Sequence, residues 1–201
     1  VKKETNDENV GGLRERKKIK VYEDIESAAL RLFLEQGYEN TSIKQIADDL
    51  MMSSRTFFRY YSSKEDLLTE PLRFIHNEGI KQVVQLDPNT TLQKALRLIF
   101  QEIASIYEVK RAKLLVRYQI AKQAPSTSLL FLFSLLEAEP VMCEALGETL
   151  SDGPTTSQLK FEVAIHMAAF RVAAEEWLSE TEGSVPLAEI IDGRFNRLMN
   201  E

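Results

Sequence analysis

The sequence predicts an all-α fold, with a small N-terminal domain of three short helices and a larger C-terminal domain of long ones. Three observations lead there. Apolar residues recur at spacings of three and four along most of the chain, and no strand-type alternation persists. Ser or Thr stands three residues before Gln, Glu or Asp at the head of several such stretches, the spacing of a capping box. Gly, Pro and Asn collect between the stretches rather than inside them.

The elements follow in order. Residues 1–12, charged with Asn and Gly, are expected to be a disordered tail. A first helix runs from Leu13, with Ile25, Ala29 and Leu32 on one face, and stops at Gly37. A second starts at Ser42, with Gln45 placed to reach back and Ile43, Ile46, Ala47 and Leu50 inward. A third starts at Ser53 with Phe57 and Tyr61 inward, and a fourth at Ser62 or Ser63 is expected to reach about Leu86, with Pro71 as a possible kink. "DPNTT" (Asp87–Thr91) is a linker, with Thr90 and Gln93 spaced to open the next helix. Further helices are expected over Leu92–Tyr107, Val109–Gln123, Ser126–Leu150, Thr156–Glu180 and Leu187–Asn200. The domains are therefore drawn at 13–68 and 69–201.

Composition narrows the function. With 44% hydrophobic and 28% charged residues the chain can bury a core, which argues against disorder. Cys143 is the only cysteine, so no intrachain disulfide can form. The longest dense apolar run, "LLFLFSLL" (Leu129–Leu136), is about half the roughly 18 residues a membrane span needs. No membrane partner is expected, and the chain reads as cytoplasmic. No G-x-S-x-G, P-loop or dinucleotide fingerprint occurs, and His76 and His166 stand in no ligand-spaced cluster. Neither catalysis, nor a cofactor, nor a metal is expected. The net charge of −6 counts against non-specific nucleic-acid binding, so a nucleic-acid site must show local positive charge.

The stretch from Met51 to Lys64 shows it. Arg55, Arg59 and Lys64 occur there without one acid. A short helix, a tight turn and a second short helix make a helix-turn-helix, whose second helix can enter the major groove. Ala47 is the small residue such a crossing needs. Ser54, Arg55, Thr56, Arg59 and Tyr60 offer hydrogen bonds on the outer face, and the caps Ser42 and Ser53 turn backbone N–H groups toward phosphates. Upstream, Arg14, Arg16, Lys17, Lys18 and Lys20 face a single Glu15; this basic run is either a solvated helix start or a contact to DNA backbone.

Residues Ile25–Leu68 resemble the DNA-binding domain of the TetR family of bacterial transcriptional regulators. The resemblance lies in Ala28–Ala29, Leu32–Phe33, Gly37–Tyr38, Thr41–Ser42, Ile46–Ala47, Ser53, Thr56–Phe57, Tyr60–Tyr61 and Ser63–Leu67. It implies DNA contacts at Ser54, Arg55, Thr56, Arg59 and Tyr60 and phosphate contacts at Ser42 and Lys64. It also implies a homodimer on a double-stranded, palindromic operator, and repression relieved by a small-molecule effector. Two positions depart from the family pattern. Met51–Met52 replace the usual Gly-Val of the turn, and Phe58 replaces a common Tyr, leaving an aromatic without a hydroxyl.

In the C-terminal domain, Leu159, Val163, Met167, Trp177, Ile191 and Phe195 lie on apolar stripes that can pack within the subunit or against a second copy; the resemblance favours a dimer interface. Arg171 either pairs with Glu175 one turn on or aims its charge into a ligand cavity, and Arg117 and Tyr118 pose the same choice. His166, four residues after Glu162, and Phe170 complete the candidate ligand set. "SLLFLFSLLEAEPVMCEAL" (Ser128–Leu146) is apolar almost all round to Glu137, so it is expected to be covered on most sides and would suit an apolar or amphipathic effector. The rival reading is a helical protein-interaction adaptor with a vestigial DNA-binding head, to which Met51–Met52 and Phe58 lend support.

Overall fold

The computed structural model describes residues 7–151, 153–180 and 185–199. These residues form nine α-helices and no strand, in two compact units that divide between Leu67 and Leu68. No helix among them is long and apolar enough to cross a membrane.

The N-terminal unit holds α1 (Asp7–Gln36), α2 (Ile43–Asp49) and α3 (Ser54–Phe57). Helix α1 begins inside the stretch expected to be a tail; of that stretch, residues 1–6 lie outside the described residues. Gly37, at φ +87°, closes α1 in the left-handed conformation that glycine adopts without strain, its N–H donating to Phe33 O at 3.1 Å. The corner that follows is held by Thr41, whose hydroxyl donates to Gly37 O at 2.8 Å and accepts from Gln36 at 3.1 Å. Ser42 and Gln45 then form the reciprocal box: Ser42 Oγ accepts from Gln45 N at 3.2 Å, and Ser42 N donates to Gln45 Oε1 at 2.8 Å. Ile25, Ala29, Phe33, Ile46, Ala47 and Phe57 pack to near-zero exposure between the three helices.

The second unit contains most of α4 (Asp66–Lys81), then α5 (Leu92–Val109), α6 (Arg111–Ala121), α7 (Pro125–Thr149), α8 (Thr156–Ser179) and α9 (Leu187–Met199). The start of α4 is set by Ser63 and Asp66, which exchange bonds of 3.1 and 3.2 Å. Pro71 sits within α4 without ending it; the α-helix stops at Lys81, short of the expected end near Leu86, and a single 3-10 turn, Gln82–Gln85, carries the chain on. Thr91, not Thr90, caps α5 by accepting from Lys94 N at 3.4 Å. Pro125 occupies the first turn of α7, where its missing N–H has no intrahelical partner to lose.

The core of this unit forms where α8 packs on α7 and α9, and α9 on α5. Phe100 of α5 meets Phe170 and Phe195 at centroid distances of 5.3 and 5.5 Å. Here the structure corrects the dimer-interface assignment. Leu159, Val163, Met167, Trp177, Ile191 and Phe195 all belong to this intrachain core. Helical periodicity shows that a stripe is buried but not which chain buries it, and α5, α7 and α9 of the same chain cover it. The outward face of α8 carries Phe161, 64% exposed, with Ala164 and Ala168. Helix α7 also departs from expectation: Ala138, Met142 and Leu146 are buried, whereas Leu129, Leu132, Phe133 and Leu136 stay exposed.

Candidate functional site

The recognition segment runs from Ser53 through α3 and its following turn to Tyr61. Its geometry begins at Met51, the only described non-glycine residue with positive φ, at +53°. The side chain there is 96% exposed, so the position is set by the backbone turn and not by packing. Met52 N donates back to Ala47 O at 2.9 Å, which fixes the crossing of α2 and α3, and Ala47 is small enough to lie beneath it. Ser53 then caps α3, accepting from Thr56 N at 3.1 Å. Phe57 and Tyr61 anchor the segment in the core, and Tyr22 of α1 stands edge-on to Tyr60 at 5.1 Å and to Tyr61 at 5.4 Å.

This anchoring leaves one face for solvent. Arg55 and Arg59 are exposed, and among the described residues neither guanidinium has a hydrogen-bond or ion-pair partner. Ser54 is half-buried. Thr56 is half-buried too, its hydroxyl 2.9 Å from Ser53 Oγ, so part of its bonding capacity is used locally. Tyr60 is half-buried against Tyr22. Phe58 is 53% exposed beside Phe57, an apolar ring at the rim where a hydroxyl is missing. Ser42 is exposed at the start of α2.

Lys64 is placed differently from a free surface cation. Its ammonium donates to Tyr38 O at 2.8 Å and stands 4.0 Å from the Tyr38 ring centroid. Tyr38 in turn donates its hydroxyl to Glu65 at 2.8 Å. Burial and the neighbouring Glu65 carboxylate push the Tyr38 hydroxyl well above its ordinary range. Burial would raise Glu65 as well, but its backbone amide and the Tyr38 hydroxyl outweigh that and hold it below the usual carboxylate range. A phosphate contact by Lys64 therefore competes with a clasp to the end of α1. Neither Tyr22 nor the Tyr38 clasp was found from sequence; the Lys64–Tyr38 contact spans 26 residues and has no helical spacing to announce it.

The second unit holds a half-open cavity of about 480 Å³, within the range that takes small organic ligands. Leu72, Tyr107, Leu114, Phe131, Leu135 and Leu178 supply an apolar lining. Arg117, Tyr118 and Arg171 reach it, together with Lys122 and Glu175, which sequence reasoning missed. Arg171 pairs with Glu175 at 2.7 Å and also lines the cavity. Arg117 is 2% exposed, and its Nη1 donates to Lys113 O at 3.4 Å. Tyr118 Oη lies 3.1 Å from Ser179 Oγ.

The other two candidates lie off the cavity lining. His166 Nδ1 donates to Glu162 O at 2.7 Å, and its ring stands edge-on to Phe195 at 4.5 Å; burial pushes its pKa down. Phe170 sits behind Tyr107 at 5.2 Å, one layer away from the lining. Both are core residues, because the face of α8 that bears them turns to α5 and α9.

Comparison with known proteins agrees with this arrangement. The model of the family described as bacterial regulatory proteins, tetR family, matches residues 25–70. The transcriptional regulator TcmR of Streptomyces glaucescens is 28% identical over 180 residues, spanning 84% of this chain and 78% of TcmR. Among solved structures, Thermus thermophilus FadR, a TetR-family repressor in complex with lauroyl-CoA, superposes with a TM-score of 0.53 at 24% identity, covering 89% of this chain and 93% of that one. Bacillus subtilis FadR in complex with stearoyl-CoA gives 0.56 at 17% identity, covering 88% and 97%. These structural likenesses bear on the fold. All three are transcriptional regulators, which leaves the adaptor reading without support. The matched segment, its helix-turn-helix geometry and the helical second unit together show a DNA-binding transcriptional regulator whose residues 25–70 form a TetR-family DNA-binding domain.

Proposed function

We propose that the chain acts as a homodimeric repressor that reads a palindromic operator through Arg55 and Arg59 and is released when a small apolar or amphipathic molecule occupies the cavity of its second unit. The observation that supports this most is the pair of exposed, uncommitted guanidinium groups on a segment fixed by Ser53, Phe57 and Tyr61 and free of acids from Met51 to Lys64. A single short helix contacts only a few base pairs, whereas a two-fold pair doubles the contacts and sets half-sites about one helical turn apart. The outward strip Phe161, Ala164 and Ala168 on α8 is the face offered to a second copy, in place of the buried stripe. An apolar lining interrupted by Arg117, Tyr118, Lys122 and Arg171 favours an amphipathic occupant, the chemistry carried by the lauroyl-CoA and stearoyl-CoA complexes of the two FadR proteins. Such an occupant shifts the equilibrium only by binding the DNA-incompetent state more tightly.

Selection of bound fragments from a pool of random duplexes tests the first part: a two-fold symmetric sequence should be enriched, and enrichment of none would refute it. Light scattering of the chain should give twice the mass of one protomer. A thermal-shift screen of fatty acids, acyl thioesters and lipophilic cations tests the second part. Stabilisation by one class that also weakens binding to the selected duplex is expected.

A further inference from the structure

We propose that the basic turns of α1 form a second phosphate-contact surface beside the recognition segment, carried by Arg14 and Lys18. This rests on the reading that the recognition segment enters a DNA groove. Helix α1 is continuous from Asp7 to Gln36, so these cations sit on a regular helix and not on a loose arm. Tyr22 pins that helix edge-on against Tyr60 and Tyr61, at the end of the recognition segment. With a rise of about 1.5 Å per residue, Lys18 stands roughly 6 Å and Arg14 roughly 12 Å along the axis from this anchor. At about 100° per residue, they lie within roughly 40° and 80° of the Tyr22 direction, whereas Arg16 and Lys20 fall roughly 120° and 160° away.

Charge along α1 is segregated. Arg14, Arg16, Lys17, Lys18 and Lys20 are all exposed, and among the described residues none of them has an ion-pair partner. Arg14 has Lys17 and Lys18 as neighbours three and four residues on, and Arg16 has Lys20, so like charges repel along the helix. An external polyanion relieves that repulsion. The sign then reverses at Glu23, Asp24 and Glu26, where α1 joins the core, so the positive charge is confined to the turns beyond the Tyr22 anchor. A duplex backbone, with a charge every 3.4 Å of each strand, is the chemistry that such a rail fits.

The test uses the full chain and a duplex selected by the wild type, titrated across a salt series. Each lost phosphate contact makes the slope of log K against log salt shallower by about 0.9. The variant R14Q/K18Q should therefore lose about 1.8 from the slope and keep the same preferred sequence. The variant R16Q/K20Q should lose less than half as much. An unchanged slope in R14Q/K18Q would overturn the inference, and so would an equal fall in both variants, which marks a diffuse field and not a contact face. Failure of the wild type to select any duplex would instead overturn the DNA-reading proposal beneath it. Far-UV circular dichroism and melting of each variant confirm that the exposed substitutions leave the fold intact.

Discussion

Replacing Met51 with glycine should stabilise the N-terminal unit and leave its interactions unchanged. Met51 holds φ at +53°, a conformation that costs an L-residue about 1–2 kcal/mol through the clash of its Cβ with the backbone. Glycine removes that clash, but its greater freedom in the unfolded chain returns about 0.5–1 kcal/mol. The Met51 side chain is 96% exposed, so truncation loses no packing. The balance is a gain of about 0–1.5 kcal/mol, centred near 0.75. Met51→Ala is the control, because it keeps the Cβ and with it the strain. Trp177, the only tryptophan, lies in the other unit, so its fluorescence does not report on this turn. Hydrogen exchange at the amides of Ile46 and Ala47 does. Slower exchange in the glycine variant than in both wild type and Met51→Ala is the expected result. Glycine no more protective than alanine would refute the strain argument.

Three further outcomes follow from the same geometry. Gly79→Ala places a Cβ 2.4 Å from Ile103 Cγ1 and 3.1 Å from Ile99 O, so overpacking of about 1–3 kcal/mol outweighs the roughly 1 kcal/mol gained in helix propensity. Urea unfolding followed by Trp177 fluorescence should show net destabilisation, and the loss should shrink when Ile103 is also Ala. Burial pushes His76 down to about 4 from 6.5, offset only in part by the backbone of Ser134. Between those values the unfolded chain binds the extra proton, so stability falls as pH drops through that window, by at most about 1.4 kcal/mol per pH unit. His76→Leu should show a flatter dependence than wild type in urea midpoints from pH 7 to 5. Finally, Arg55→Ala or Arg59→Ala should lose about 1–3 kcal/mol of discrimination at one base position, read from competition between the selected duplex and single-base variants.

What could be read from sequence divides along physical lines. Local devices were legible: Ser42 with Gln45, Ser53 before Thr56, Ser63 with Asp66, and Gly37 as a stop each act within four residues, so spacing alone identifies them. The exposed face of α3 and its following turn was legible for the same reason, since Phe57 and Tyr61 inward leave Arg55 and Arg59 outward on one short stretch. Partnership across the chain was not. The stripe from Leu159 to Trp177 is the buried face of α8, yet nothing in its period distinguishes α9 of the same chain from a second copy. The cavity draws on Leu72, Tyr107, Arg117, Phe131 and Arg171 from five helices, and no spacing rule joins positions so far apart. The clasp of Lys64 to Tyr38 was not legible either, because it forms only when the segment after α1 meets the segment before α4.

The cavity of the second unit is half open, and Leu132 in its lining is 43% exposed. A molecule can therefore reach the lining from solvent with no helix needing to come apart, and an exposed side chain such as Leu132 adjusts its rotamer in picoseconds to nanoseconds. Exchange of an occupant is then governed by how well it fits inside.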